Sequence, residues 1–232
     1  MTGTFSKYIG TPFEPDLRPG IPPGAKLSPH SQIDPNKCGK IPGIRHANGH
    51  WIGLYKEAQD IAATPDALGN WDRWETENVV LRGGNFIGID IDTEDAVLAE
   101  ELCRLAERQL GAAPVRGRPG SCRCLLIYQG AAAAAIRKQN IIWRMPGESF
   151  DILKPRHMLE ALGAGCNMMV EGIHPSGARY EYRDHRDLLA WGAEKLPRVA
   201  LEQIADFLRR RHGSDPCAPG RNPEPRVARL AI

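Results

Sequence analysis

The stretch that most constrains how this chain can fold is Asn85-Phe86-Ile87-Gly88-Ile89-Asp90-Ile91-Asp92. Ile87, Ile89 and Ile91 alternate with Gly88, Asp90 and Asp92, the period of a β-strand with one face to bury. The other face ends in two carboxylates whose Cα atoms lie roughly 6–7 Å apart along the strand. Both acids point the same way, so one divalent cation can sit against them. A strand end followed by a helix cap explains the same two acids without a metal. Delivery of both to the carboxyl end of an apolar strand, where open α/β sheets bind ligands, favours the metal. A helix should follow, capped by Asp92 or Thr93, with Val97/Leu98, Leu102, Leu105 and Leu110 as its apolar stripe and Gly111 as its C-cap.

With 232 residues the chain can build one large domain or two small ones. No apolar run approaches the ~20 residues of a membrane span, and the N-terminus lacks the apolar core of a secretory signal. The expectation is therefore a cytoplasmic protein without a membrane partner. The six cysteines follow neither a disulfide framework nor a zinc-ribbon spacing. Total charge is only +2, so its distribution is what informs. Between Arg104 and Arg144 eight basic residues face a single acid, Glu107. A basic block directly after an acidic strand end suggests phosphates, with the acids holding a metal; a solvated charged face is the alternative.

Residues 1–45 hold eight of the nineteen prolines and read as an extended wrap that adds neither strands nor helices. Lys40, in Gly39-Lys40-Ile41-Pro42-Gly43, is either a loop lysine or a ligand contact. A helix is expected around Tyr55–Ala63 and a second helical piece around Trp71 and Trp74. Asn78–Leu81 reads as a strand running into the Gly83-Gly84 turn, beside which Arg82 can reach a phosphate. Arg116 and Arg118 lie in a loop, followed by a strand from Ser121 to Tyr128 whose alternation places Ser121 and Arg123 on one face, a hydroxyl and a guanidinium suited to a triphosphate. A helix over Ala131–Gln139 and a strand over Asn140–Arg144 come next. Ser149–Leu153 reads as an apolar strand carrying Asp151, the natural third carboxylate, since an acid between Phe150 and Ile152 needs a partner or a metal. A short helix near His157–Leu162, a strand Asn167–Glu171, a displayed His174 and a strand Arg179–Tyr182 complete the body. Pro197 opens the last helix, and the Pro-rich end after Gly213 reads as a linker or tail.

In their order and spacing these elements resemble the primase-polymerase (prim-pol) branch of the archaeo-eukaryotic primase superfamily, found in phage and plasmid replication proteins. The resemblance spans roughly residues 38–185. Gly88-Ile89-Asp90-Ile91-Asp92 is similar to the family's first motif, and Phe150-Asp151 to the third. Gly172-Ile173-His174-Pro175-Ser176-Gly177-x-x-Tyr180 is similar to the segment that follows. The second motif is Ser-x-His, which here becomes Ser121-Cys122-Arg123, an arginine where histidine is usual.

The resemblance implies an α+β or α/β fold, a two-part catalytic domain with mixed sheets flanked by helices. Its expected boundaries are a Pro-rich wrap (1–45), the prim-pol domain (46–195), and a C-terminal helix with a basic tail (196–232). It implies template-directed nucleotidyl transfer in phage, plasmid or prophage replication, inside a bacterial or phage-infected cell. Asp90, Asp92 and Asp151 would hold Mg²⁺ or Mn²⁺, and Ser121 and Arg123 would grip the triphosphate. His174, Arg82 and Lys40 would add nucleotide or template contacts. Implied partners are single-stranded DNA template, nucleoside triphosphates, and a helicase on another chain or in a missing C-terminal part, since no P-loop motif is present. Two alternatives stand beside this one: a catalytically weak DNA-binding replication module, and a metal-dependent nucleotide-sugar transferase using the Asp-x-Asp pair.

Overall fold

The computed structural model describes residues 3–54, 60–131, 137–145, 147–149, 151 and 155–213. In chain order the first strands are β1 (Leu17–Pro19), β2 (Gly43–Arg45) and β3 (Trp51–Gly53), followed by helix α1 (Pro65–Trp71). Strands β4 (Val79–Arg82) and β5 (Phe86–Thr93) lead into the long helix α2 (Ala96–Leu110). Then come β6 (Val115–Arg118), β7 (Ser121–Gly130), β8 (Gln139–Trp143), β9 (His157–Leu162), β10 (Asn167–Glu171) and β11 (Glu181–Tyr182). A short helix α3 (Leu188–Trp191), strand β12 (Arg198–Val199) and helix α4 (Leu201–Gly213) end the described chain. The fold is α+β.

A seven-stranded sheet runs β11-β6-β7-β5-β9-β8, with β12 joined in parallel to the end of β7. A three-stranded sheet, β1-β4-β10, and the β2-β3 hairpin stand apart from it. The acidic strand β5 is central, paired antiparallel to β7 on one side and β9 on the other. Its two faces do different work. Ile87, Ile89 and Ile91 are fully buried with Leu126, Tyr128 and Leu159 against Leu102, Cys103 and Ala106 of α2. Each such isoleucine contributes about 1.5–3 kcal/mol relative to exposure. On the opposite face, Phe86, Leu125 and Ile127 meet Leu81, Met168 and Val170 of the small sheet. Gly88 makes that approach possible: a Cβ there would lie 2.6 Å from Met168 Sδ and 2.8 Å from Leu125 Cδ1. The face therefore changes along its length from apolar, at Phe86 and Gly88, to acidic, at Asp90 and Asp92.

Several elements differ from the expectations. The cap of α2 is Asp95, whose carboxylate accepts the Leu98 N–H at 3.0 Å, because β5 stays extended through Thr93. Asp92 is thereby released from any capping role. Residues 157–162 form a strand rather than a helix: His157, Leu159 and Ala161 are buried at alternate positions, and pairing with β5 overrides helix-forming residue types. The Pro-rich N-terminus contributes β1, in register with β4, and buries Phe5, Tyr8 and Phe13. Helix α4 begins at Leu201, since Arg198 and Val199 are spent on pairing with β7. Residues 55–59 and 132–136 of the two other expected helices lie outside the described residues, and Asp60–Ala63 is not helical.

Candidate active site

Strand pairing brings the chemistry to one place. Asp90 stands directly opposite Glu160 on β9 and Leu125 on β7, and Leu125 in turn pairs with Arg116 on β6. Directly opposed residues share a face, so one row across the sheet reads Glu160, Asp90, Leu125, Arg116, with Cβ atoms of neighbours about 4.5–5.5 Å apart. Asp92 lies one pleat further along the same face. Asp90, Asp92, Arg116, Arg118 and Arg123 line a cleft of about 190 Å³, bounded on its other side by Lys40, Met168, Met169, His174 and Tyr180.

The electrostatics are those of crowded, partly compensated charges. Asp92 Oδ1 forms an ion pair with Arg123 Nε at 2.8 Å, and Arg123 also reaches Glu94 at 3.3 Å. Glu160 is buried and pairs with Lys138 Nζ at 2.6 Å. The Asp90 carboxyl is pushed up to about 6, chiefly by burial. Arg116 opposes that shift, Asp92 and Glu160 reinforce it, and Lys138 opposes it. His174 moves the other way, down to about 4, by burial first and then by the cations Arg118, Lys40, Arg116 and Arg123. It is therefore neutral near pH 7. Its Nδ1 accepts the Ser176 N–H at 3.1 Å, so the neutral ring carries its proton on Nε2.

Of the residues singled out from sequence, Asp90, Asp92, Arg123, His174 and Lys40 line this one cleft. His174 is packed rather than displayed, 8% exposed and edge-on to Tyr180 at 5.9 Å between ring centroids. Ser121 lies in an adjoining groove of about 390 Å³ beside α2, which shares Arg118 and Arg123 with the cleft. Arg82 is held elsewhere, bonded at 2.9 Å to Asp16, a carboxylate that also accepts from Asn85. Asp151 is exposed and in no strand, and Phe150 and Ile152–Lys154 around it lie outside the described residues. The acid that β-pairing sets against Asp90 is Glu160 instead. Sequence reasoning missed it, although Leu159 and Ala161 flank it as alternation requires. It also left Arg116 and Arg118 in a loop, whereas both belong to the β6–β7 hairpin.

A cleft that sets acids beside several arginines on adjoining antiparallel strands invites comparison with enzymes of nucleotide chemistry. The sequence matches the family model for the bifunctional DNA primase/polymerase, N-terminal domain, over residues 22–199. The chain belongs to the Prim-Pol family. No curated protein matches it. The Prim-Pol segment covers β2 through β12 and contains every residue of the cleft. No helix among the described residues is long and apolar enough to cross a membrane.

Divalent cations are implied for such a domain, and the donor set suits them in kind: hard carboxylate oxygens on one face, where Asp92 and Glu160 both disfavour the charged form of Asp90. Among the described residues no three His, Cys, Asp or Glu side chains are gathered closely enough to hold an ion. The ion pairs explain this. Asp92 and Glu160 are paired with Arg123 and Lys138, whose side chains are 33% and 53% exposed.

Proposed function

We propose that this Prim-Pol protein catalyses template-directed nucleotidyl transfer, with Asp90, Asp92 and Glu160 as the carboxylates that hold Mg²⁺ or Mn²⁺. The observation that carries this reading is the same-face arrangement of the three acids next to a cleft lined by Lys40, Arg116, Arg118 and Arg123. A cation bound there would supply Lewis-acid activation of a 3′-hydroxyl and neutralise charge on the triphosphate. Arg123, reaching Asp92 from a half-exposed position, can turn its other N–H groups to phosphate oxygens, bidentately where histidine would offer one donor. His174 contributes a neutral Nε2–H donor. Single-stranded DNA is the proposed template, with phage, plasmid or prophage replication as the setting.

One observation favours a second reading, a DNA-binding replication module with weak catalysis: Asp92 and Glu160 each already have a basic partner. Primer synthesis and primer extension on single-stranded DNA, with Mg²⁺ and with Mn²⁺, separate the two. Incorporation by the parent and its loss in the Asp90→Ala/Asp92→Ala double variant are expected. A parent that binds template but never incorporates would establish the second reading.

A further inference from the structure

Arg123 touches two acids at the end of β5 and holds them differently. Its Nη2–H donates a hydrogen bond to Glu94 Oε1 at 3.3 Å. Its Nε lies 2.8 Å from Asp92 Oδ1, yet that oxygen is shut away from water and accepts no hydrogen bond among the described residues. The attraction at Asp92 is therefore Coulombic, without the directional bond that Glu94 receives. A buried carboxylate oxygen in that state is unfavourable until another partner takes it. The five donors of a guanidinium make this division between two acids possible.

Glu94 is itself fixed from its far side. Its Oε2 is bonded by Arg156 at 2.8 Å, which leaves Oε1 to Arg123. Arg156 also reaches Glu148 at 3.1 Å, Glu148 meets His157 Nε2 at 2.9 Å, and His157 Nδ1 meets Thr93 Oγ1 at 2.6 Å. Thr93 precedes Glu94 in the chain, so these contacts close into a ring whose Thr93–His157 side is buried. Arg156, with Arg123 adding to it, holds the Glu94 carboxyl below its usual range, so Glu94 is an anion at neutral pH. Asp92 and Arg123 both line the cleft, whereas Glu94 stands outside its lining.

We propose that Glu94 is a positioning residue, the seat that retains Arg123 when a divalent cation takes Asp92. Arg123 is then a built-in competitor for that cation rather than a permanent cap on the carboxylate. Leaving Asp92 costs the arginine no hydrogen bond, and staying on Glu94 keeps its charge paired. Asp92 as a cation ligand belongs to the nucleotidyl-transfer reading, on which this role rests.

Titration calorimetry of Mn²⁺ into the full chain, without nucleotide or DNA, tests this through a double-mutant cycle. Arg123→Gln should bind Mn²⁺ more tightly than the parent, because the competitor is gone. Glu94→Gln should bind it roughly three- to fivefold more weakly, the scale of one partly exposed ion pair, because Arg123 is left to Asp92 alone. In the Arg123→Gln background, Glu94→Gln should leave the affinity unchanged. A Glu94 that ligated the cation, or drew it in by charge alone, would cost the same factor in both backgrounds, and that result overturns the proposal. Parental affinity in Glu94→Gln, or no Mn²⁺ binding by any of the four proteins, overturns it as well. Should Arg123→Gln not fold, Arg123→Met, closer to the aliphatic stem it replaces, takes its place in the cycle. Thermal unfolding without metal separates positioning from support of the fold: Glu94→Gln should melt within about 3 °C of the parent. A much larger fall would make Glu94 a structural residue and overturn the role. Primer extension keeps the two readings apart. This coupling in a parent that incorporates no nucleotide would keep the Glu94 role and remove the proposed function, while incorporation without the coupling would do the reverse.

Discussion

Asp90→Asn should stabilise the metal-free protein while removing its activity, and the size of the gain can be worked from the site. Burial, with Asp92 and Glu160 as charged neighbours, raises the Asp90 carboxyl from an ordinary 3.8 to about 6. That difference corresponds to on the order of 3 kcal/mol of preference for the protonated form in the folded protein. The sign follows from linkage. A folded-state pKa above the unfolded one means that the stability contributed by this group is fully present below about pH 4. It is lost as pH rises through about 6, and no further loss occurs above that. Asparagine mimics the neutral form at every pH. In EDTA the variant should therefore gain on the order of 3 kcal/mol at pH 8, about half of that at pH 5, and almost nothing at pH 4. Urea denaturation of both proteins at the three pH values measures the gains directly. Added Mn²⁺ should stabilise the parent at pH 8 and largely close the gap. A variant less stable than the parent at pH 8, or a gain independent of pH, would refute the argument that burial, reinforced by Asp92 and Glu160, penalises the charged form of Asp90.

The third carboxylate can be assigned by a pair of variants: Glu160→Gln should abolish nucleotide incorporation, while Asp151→Asn should leave it near the parental rate, both measured by primer extension. If Asp151→Asn proves the inactive one, the register argument is wrong. His174 makes an acid-side prediction. Its pKa falls from 6.5 to about 4 on folding, so the stability it confers is present above pH 6.5 and is lost as pH drops through 4. His174→Gln should flatten that limb of a stability–pH curve, and an unchanged limb would place the loss on other groups.

What could be read from the sequence depended on how much local pattern each element carries. Strand β5 is eight residues long with isoleucine at three alternate positions, so its faces, and hence the shared direction of Asp90 and Asp92, were legible. Strand β9 is six residues of His-Met-Leu-Glu-Ala-Leu, mostly good helix formers, and only its pairing with β5 makes it extended. Misreading it hid Glu160 and sent the search for a third acid to Asp151, whose apolar neighbours suggested burial. The basic block was visible as a block. Which of its arginines is buried was not, because Arg116 owes its burial to Tyr180 and to the small sheet, both distant in sequence. Arg82 was placed correctly beside a glycine turn, but its partner Asp16 comes from the N-terminal segment, whose packing no local pattern announces.

That N-terminal segment also decides where the module can be cut. The Prim-Pol match begins at residue 22, yet Phe5, Tyr8, Phe13 and Leu17 are fully buried ahead of it. Strand β1 covers the outer side of β4, and it suits a sheet margin: three residues long, ended by Pro19, with Arg18 tied back to the Pro15 carbonyl. Trimming the chain to the family's boundary would bare the backbone of Val79, Val80 and Leu81 as an open edge beside a stripped apolar surface. The expected result is self-association through that edge rather than a smaller soluble enzyme. Phe5 to Pro19 thus acts as a guard against aggregation, built from residues far from the chemistry it protects.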